Sequence, residues 1–210
     1  MRIDPASIPA LDRYKLLIGG IVPRPIAWVS TVGPGGEENL APFSFFCGIS
    51  SVPMLLAFCP ANKPDGTEKD TLRNAKLRAE GGRGEFVVNL VSDAVGAKMA
   101  LSAEPLEYGR SEWSEFGIAQ APSERVKPAR VVGSPMALEC ITRQVIHFAP
   151  GQPAGGNMVI GEVVSVWVDD GVIDERLHLD PAKLDAIGRM GGRTYARTRE
   201  RFDMTMGRGG

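Results

Sequence analysis

Short runs of β-branched and aromatic residues alternate with turn residues along most of the chain. The apolar run 26–32 ends at the turn cluster GPGGEEN, and a second extended run follows at 40–52, so the two predict a β-hairpin. The continuous apolar run 54–59 lies between two prolines, which is typical of a strand deep in a sheet and covered on both faces. Further strands are predicted at 85–92, 136–148 and 158–172, and the last two are long enough for the twisted strands of a barrel.

Two segments have the spacing of helices instead. In 67–82, Leu72, Ala75 and Ala79 recur at intervals of three and four before two glycines, which predicts a helix of about three turns. The segment 93–104 predicts a second helix, capped by Ser92 or Asp93 and weakened by an internal glycine. Because the strands do not alternate with helices, the pattern argues against a doubly wound parallel sheet and favours a small antiparallel barrel.

Composition narrows the class of protein. The 210 residues carry 24 Lys+Arg against 25 Asp+Glu, a net charge of −1, which argues against a strongly electrostatic nucleic-acid binder. With 43% apolar and 23% charged residues and no long linker, the chain is expected to form one globular domain over 1–210.

The predicted location is the cytoplasm. The three cysteines, Cys47, Cys59 and Cys140, have no C-x-x-C spacing and lie in or beside apolar stretches, as core thiols of a reducing compartment do. The first residues contain no apolar segment typical of a secretory signal, and no apolar run is long enough to span a membrane. We therefore expect no membrane partner.

Several motif classes are excluded by the sequence. There is no P-loop, and neither GPGGEE nor GGRGEF spells the G-x-G-x-x-G fingerprint between a strand and a helix. The only histidines, His147 and His178, have no ligands at zinc spacing, so we expect ordinary side chains and no metal site. The stretch around Ser50 and Ser51 lacks the second glycine of a nucleophile elbow, and no catalytic side chain is predicted.

A cluster of hydroxyl residues in the first third of the chain suggests an anion site. Ser51, Lys69 and Thr71 combine hydroxyl donors with an ammonium group at the start of a predicted helix, which suits a phosphate monoester. The alternative is that Asp70 or Thr71 caps the helix while Lys69 points into solvent. Spacing alone leaves both interpretations open.

Eight strings together resemble a known family. They are PRPIAWVSTV (23–32), NLAPFSFF (39–46), SSVP (50–53), KDTLRN (69–74), GEFVVNL (84–90), SPMALEC (134–140), VIGEVV (159–164) and RMGGRTYAR (189–197). Their order and spacing, from about residue 13 to 197, resemble the flavin-reductase-like, FMN-binding split-barrel family. The similar branch includes flavoredoxin and the flavin reductase components of two-component monooxygenases.

The resemblance implies a mainly β fold: a six-stranded antiparallel Greek-key split barrel with peripheral helices. It also implies a homodimer that binds FMN near the subunit interface, with 1–12 and 198–210 as peripheral segments. Matching positions imply that Trp28, Ser30 and Thr31 flank the isoalloxazine ring, while Asn39, Leu40, Ala41 and Ser44 offer it hydrogen bonds. The matching ribityl- and phosphate-binding stretch is Ser50, Ser51, Lys69, Asp70 and Thr71.

Two further positions have two interpretations each. Arg24, between two prolines, either reaches the phosphate or covers the barrel end. Tyr195 matches the late family motif that lies close to the flavin, or it is an aromatic anchor of the C-terminal segment.

The function implied is an FMN-dependent oxidoreductase in which NADH or NADPH delivers a hydride to the flavin. Reduced FMN would then serve oxygen, a metal ion or a partner monooxygenase. One departure matters: compact NAD(P)H:flavin reductases commonly have a histidine where this chain has Gly156, with Asn157 as the nearest polar residue. The alternative is therefore a flavin-binding electron carrier that is reduced by a partner protein and turns over little NAD(P)H.

Overall fold

The computed structural model describes residues 1–205 and 207. Eleven strands occur in this part of the chain: β1 (Ala27–Val32), β2 (Glu38–Phe43), β3 (Phe46–Ser51), β4 (Met54–Phe58), β5 (Glu85–Leu90), β6 (Gln120–Ala121), β7 (Arg130–Val131), β8 (Met136–His147), β9 (Asn157–Val168), β10 (Ile187–Arg189) and β11 (Tyr195–Arg197). The main sheet is antiparallel, with the order β2-β1-β5-β8-β9-β4-β3, while β6 pairs with β7 and β10 with β11.

Short helices surround the main sheet. In the described residues they are α1 (Ala10–Gly20), α2 (Asp70–Ala75), α3 (Gly96–Leu101), α4 (Glu112–Glu115) and α5 (Pro181–Leu184), with 3₁₀ turns at Pro5–Ser7, Arg78–Glu80 and Asp93–Val95. None of the helices in the described residues is long and apolar enough to cross a membrane. The mainly β architecture with peripheral helices is as predicted.

The expected number of barrel strands, six, is wrong: the main sheet of the described chain has seven. The extended run 40–52 is not one strand, because it divides at Ser44 and Phe45 into β2 and β3. These two strands, consecutive in sequence, lie at opposite edges of the sheet. The predicted hairpin of β1 and β2 is confirmed, with Ala27 opposite Phe43 and Val32 opposite Glu38.

The main sheet curls because its two longest strands bend. The first half of β8 pairs with β5, whereas the first half of β9 pairs with β4, and the β8–β9 register shifts at two places between them. Phe58 consequently lies 5.2 Å, centroid to centroid, from both Phe43 and Phe86. Since Phe43 is in the edge strand β2 and Phe58 is in β4, next to the opposite edge, this contact shows that the sheet folds over its own core.

Two buried clusters stabilise the fold. The first fills the inside of the curled sheet around Phe58, Phe86 and Val88. The second lies on the other face of β1, where Trp28 packs with Met99 of α3 and Trp113 of α4. Gly161 lies directly against the first cluster, since a Cβ at this position would be 2.3 Å from the Phe86 ring.

Some local predictions need correction. The helix predicted at 67–82 is shorter: α2 ends at Ala75, and the chain turns back so that the Arg83 N–H donates to the Asn74 carbonyl. Helix α1 was not predicted. The run at 54–59 is strand β4 as expected, but it lies next to the edge strand, and Met54 is exposed.

The three cysteines differ in burial. Cys140 is buried and Cys59 is half-buried, whereas the expectation that Cys47 packs in the core is wrong, because Cys47 is exposed.

Candidate functional site

A groove of about 650 Å³ runs between helix α1 and one end of the curled sheet. Leu11, Tyr14 and Leu17 of α1 form one wall. Ala10 and Arg13 of α1 also line the groove, and the residues that line the rest are Pro42, Phe43, Ser44, Phe45, Cys59, Ala61, Lys69, Ala154, Gly156 and Asn157. The groove therefore lies where the chain leaves β2 for β3, between the two edges of the sheet, and its lining is largely apolar.

Lys69 brings a positive charge to this groove. Its Nζ lies 5.8 Å from the centroid of the Phe43 ring. Burial lowers the pKa of Lys69, and the nearby charge of Lys63 lowers it further. Lys63 is itself paired with Asp70, at 2.9 Å, whereas Lys69 forms no salt bridge with the described residues. An anionic ligand group would relieve this uncompensated charge.

A chain of amides fixes the opposite wall. The Asn62 Nδ2 donates to the carbonyls of Gln152 and Ala149, so its Oδ1 is free to accept from Asn157 Nδ2, at 2.9 Å. Asn157 Nδ2 also donates to the Pro60 carbonyl. The Asn157 Oδ1 therefore faces His147 Nδ1, 2.7 Å away, and accepts a hydrogen bond from the N–H at that ring position. Both asparagines are buried, and their bonds hold the groove wall in place.

A smaller pocket of about 170 Å³ adjoins the groove and shares Tyr14, Pro42 and Ser44 with it. The guanidinium carbon of Arg189 lies 4.4 Å from the centroid of the Tyr195 ring in this pocket. The two residues are also direct cross-strand neighbours in the β10–β11 pair. Of the predicted site residues, Ser44, Lys69 and Tyr195 are thus brought together along one continuous surface.

Arg24 lies behind this surface and is 4% exposed. Its Nη1 donates to the carbonyls of Ile18 and Ile21, at 2.6 and 2.8 Å. Its Nε donates to Ser44 Oγ at 3.2 Å, and its Nη2 to the Met190 carbonyl at 3.0 Å. Of the two interpretations offered by the sequence, this geometry is that of a residue that closes the barrel end.

Three predicted residues lie in the protein interior. Trp28 and Leu40 are 0% exposed and Ser30 is 1% exposed. Trp28 Nε1 donates to Ser102 Oγ, and Ser30 Oγ donates to the Ala129 carbonyl. The backbone N–H of Leu40 donates to the Glu112 carboxylate at 2.8 Å. Their assignment to a cofactor stays a prediction, and in this structure their side chains offer a ligand almost no surface.

Other predicted residues form a buried polar cluster between β1, β2 and α2. Asn39 Nδ2 donates to Thr71 Oγ1 at 2.9 Å and to Thr31 Oγ1 at 3.3 Å. Thr71 is 1% exposed, so its hydroxyl holds helix α2 against the sheet. Ala41 is half-buried and packs against the inner cluster. Asp70 pairs with Lys63, as described above.

Ser50 and Ser51 lie away from the groove within one chain. Both are exposed in β3, and Ser51 pairs with Met54 at the hairpin turn. Since a strand rises about 3.3 Å per residue, Ser51 is roughly 17 Å along β3 from Phe46. The structure therefore does not bring Ser51, Lys69 and Thr71 together in a single chain.

Four residues of the groove and its pocket were not predicted from the sequence as site residues: Tyr14, Cys59, Asn157 and Arg189. The signal for α1 was present, since Leu11, Tyr14 and Leu17 recur every third residue before two glycines. The Asn62–Asn157 contact joins positions 95 residues apart and has no local signature.

The chain matches the model of the flavin reductase like domain over residues 19–188 and belongs to that family. A Deinococcus radiodurans protein is 44% identical over 208 residues, covering 96% of this chain and 87% of its own. The Bacillus subtilis protein YwrF is 34% identical over 200 residues, covering 94% and 95%.

Several solved structures are similar to this chain over nearly its whole length. Nitrilotriacetate monooxygenase component B from Bacillus cereus has a TM-score of 0.89 and 30% identity, covering 97% of this chain and 98% of its own. The 2-nitrobenzoate 2-nitroreductase NbaA of Pseudomonas fluorescens has a TM-score of 0.86 and 30% identity, covering 99% and 97%. A flavoredoxin of Desulfovibrio vulgaris, at 19% identity and TM-score 0.70, shares the fold.

Proposed function

We propose that this protein is an FMN-binding oxidoreductase, an NAD(P)H-dependent flavin reductase that supplies reduced FMN or electrons to an acceptor or a partner monooxygenase. The observation that carries the proposal is the groove beside α1, in a chain of the flavin reductase like family. It combines apolar walls with the ammonium of Lys69, which forms no salt bridge with the described residues.

The chemistry of the groove suits FMN. Tyr14, Leu17 and Phe45 offer apolar surface for a flat ring, and Lys69 offers a point charge for the phosphate group. When bound, FMN would accept a hydride from NADH or NADPH and pass the electrons to the acceptor. The chain itself would orient the two ligands, exclude water along the apolar walls and hold the phosphate.

The relatives support the choice of acceptor. The structure of nitrilotriacetate monooxygenase component B is that of one component of a monooxygenase, and it is 30% identical to this chain. We infer that this chain serves such an oxygenase partner. The reducing cytoplasm remains the proposed location, and the three cysteines are free thiols in the structure.

We also propose a homodimer. Strand β3 is an edge strand whose residues after Phe46 are all exposed, and Ile49, Val52 and Met54 add apolar surface at its hairpin. An unpaired apolar edge favours association with another chain. In such a dimer, Ser50 and Ser51 of one copy could reach the groove of the other, which would reconcile their predicted role with their position.

The test is a flavin-binding and reduction experiment on the full chain. Purified protein is mixed with FMN, freed of unbound flavin, and its visible absorption is followed anaerobically with NADH and then NADPH. Retained flavin that bleaches rapidly supports the reductase. If the protein shows neither flavin affinity in an equilibrium titration nor catalysed flavin reduction, the proposal is overturned.

A second function is favoured by one observation. Gly156, where compact reductases carry a histidine, lies in the groove wall and gives a nicotinamide no side chain to contact. The alternative is therefore a flavin-binding electron carrier reduced by a partner protein. Bound flavin that stays oxidised with both nicotinamides, and is bleached by dithionite, would favour the carrier.

A further inference from the structure

The small pocket next to the groove contains a cation without a carboxylate partner. Arg189 donates one hydrogen bond, from Nη2 to the Gly192 carbonyl at 2.6 Å, and stacks on Tyr195. It forms no salt bridge with any carboxylate of residues 1–205. Because a guanidinium has five N–H donors, several of them are available to a ligand in the pocket.

Ser44 adds a directed hydroxyl donor. Its Oγ accepts the Nε–H of Arg24, which fixes that oxygen as an acceptor on the protein side. Its own proton is given to no acceptor among the described residues, and Ser44 lines both the pocket and the groove. The hydroxyl can therefore donate to a ligand at the boundary between the two.

Charge in this region favours an anion. Arg24 is buried behind Ser44 and its guanidinium is bonded to carbonyls and a hydroxyl, with no carboxylate among its described partners. Arg24 is hydrogen-bonded to Ser44 and Arg189 lines the same pocket, and neither guanidinium group has a carboxylate partner among the described residues. A buried or half-buried cation without a counterion is costly, and an oxyanion ligand would offset part of that cost.

The rest of the pocket is lined by aromatic and aliphatic side chains, together with the hydroxyl groups of two tyrosines. Tyr14, Ile26, Pro42 and Met99 line it together with the Tyr195 ring. Such a lining suits a flat, unsaturated ligand body rather than a hydrated inorganic ion.

We propose that this pocket is an oxyanion-recognising subsite, in which Arg189 and Ser44 bind the carboxylate or phosphate group of a second, partly aromatic ligand next to the flavin. The inference rests on the proposed function, since the second ligand would be the reaction partner of the flavin in the adjoining groove. The same chemistry fits the carboxylate of an aromatic acid and a phosphate of a nicotinamide nucleotide.

Two probes separate these sources: benzoate and adenosine 2′-phosphate. Each is titrated by calorimetry into the full chain, first without flavin and then with FMN present. We expect saturable binding of at least one probe, and a loss of about tenfold or more for Arg189→Gln because a charge-assisted, forked contact is removed. Arg189→Lys should lose less affinity than Arg189→Gln because it keeps the positive charge. The control Arg193→Gln, a change at an exposed neighbour, should keep the wild-type affinity.

The FMN dissociation constant is measured separately for each variant. It should change by less than about twofold in Arg189→Gln, since FMN is assigned to the groove and not to the pocket. Three results would overturn the subsite: no saturable binding of either probe, equal probe affinity in Arg189→Gln and the wild type, or a loss of FMN affinity in Arg189→Gln that riboflavin does not share. Absence of FMN binding by the wild type would instead count against the proposed function, while the flavin-free titrations still decide the subsite.

Discussion

The Nε–H of Arg24 donates to the Oγ of Ser44 across 3.2 Å, linking a buried cation to a hydroxyl that lines the groove. The same guanidinium binds the carbonyls of Ile18 and Ile21 at the end of α1. No residue of α1 is buried, so these bonds are a main attachment of the helix that forms one groove wall. One side chain thus joins the placement of α1 to the chemistry of the groove.

Replacing Arg24 by lysine should therefore loosen α1. Lysine keeps the charge but lacks the planar fork, so it cannot serve Ser44, α1 and the Met190 carbonyl at once. We expect a loss of about 3 kcal/mol in the free energy of unfolding, measured by urea denaturation. Limited proteolysis should also cut faster near residues 18–22. The exposed substitution Arg2→Lys is the control, and equal stability of both variants would contradict the role given to Arg24.

Lys69→Ala should weaken FMN binding about tenfold while leaving the thermal unfolding curve in place, because a charge-assisted phosphate contact is removed. Lys98→Ala, at an exposed position, is the control. Because burial lowers the pKa of Lys69, the wild type should lose FMN affinity as pH rises through that lowered pKa, below the ordinary lysine range. The variant should lack this loss. Unchanged affinity in Lys69→Ala at pH 7 would remove Lys69 from the site.

Most strands were predictable because their signals are local. Runs of β-branched residues between prolines and glycines predicted β1, β4, β5, β8 and β9, and the length of the last two runs predicted the twisted strands of a barrel. The division of 40–52 was not predictable, because Ser44 and Phe45 carry no strong turn signal and the break depends on where β3 finds its partner, β4. Which strands pair with each other depends on the tertiary fold and has no signal in the local sequence.

The candidate site was predictable only in part. Lys69 was predicted from its position at the start of a helix as well as from a family motif, and Ser44 and Tyr195 from family motifs; all three line the groove or its pocket. Other motif residues, such as Thr71 and Trp28, lie in the interior, because a motif also contains the residues that hold a site in place. Arg189 was overlooked because its significance depends on lacking a carboxylate partner, which no local pattern reveals.

The proposed dimer predicts that a charge on β3 separates the copies. Ile49→Glu should convert a dimer into a monomer, since it places a carboxylate in an apolar contact that a second copy would cover. Light scattering coupled to size-exclusion chromatography measures the mass. Val132→Glu, also at an exposed apolar residue but outside the β3–β4 hairpin, should leave the dimer intact. A monomeric wild type at micromolar concentration would rule out the dimer.

Gly161→Ala should destabilise the barrel. The added Cβ would lie 2.3 Å from a ring atom of Phe86, whose side chain is 0% exposed and cannot move aside freely. We expect a loss of about 1–3 kcal/mol in the free energy of unfolding, as overpacked cores show. Gly20→Ala, at the end of α1 and away from the proposed dimer edge, is the control, because a Cβ there meets nothing within 4 Å. Urea denaturation compares the two, and equal midpoints would contradict the predicted clash.

The buried carboxyl group of Glu112 should make the free energy of unfolding depend on pH. Burial raises the pKa of its carboxyl group, although the Leu40 N–H that it accepts acts in the opposite direction. With a raised pKa in the folded state, the folded protein binds more protons than the unfolded chain, so stability falls as pH rises from about 4.5 through the folded pKa. Glu112→Gln keeps an acceptor for the Leu40 N–H and removes the charge. The free energy of unfolding of this variant, relative to that of the wild type, should therefore increase as pH rises from about 4.5 through the folded pKa of Glu112.

Glu112→Ala leaves the buried Leu40 N–H without a partner and should lower the free energy of unfolding by about 1–3 kcal/mol. Denaturation of both variants between pH 4 and pH 8, beside the exposed control Glu104→Gln, measures these effects. A pH dependence of Glu112→Gln identical to the wild type would show that Glu112 does not titrate as its burial requires.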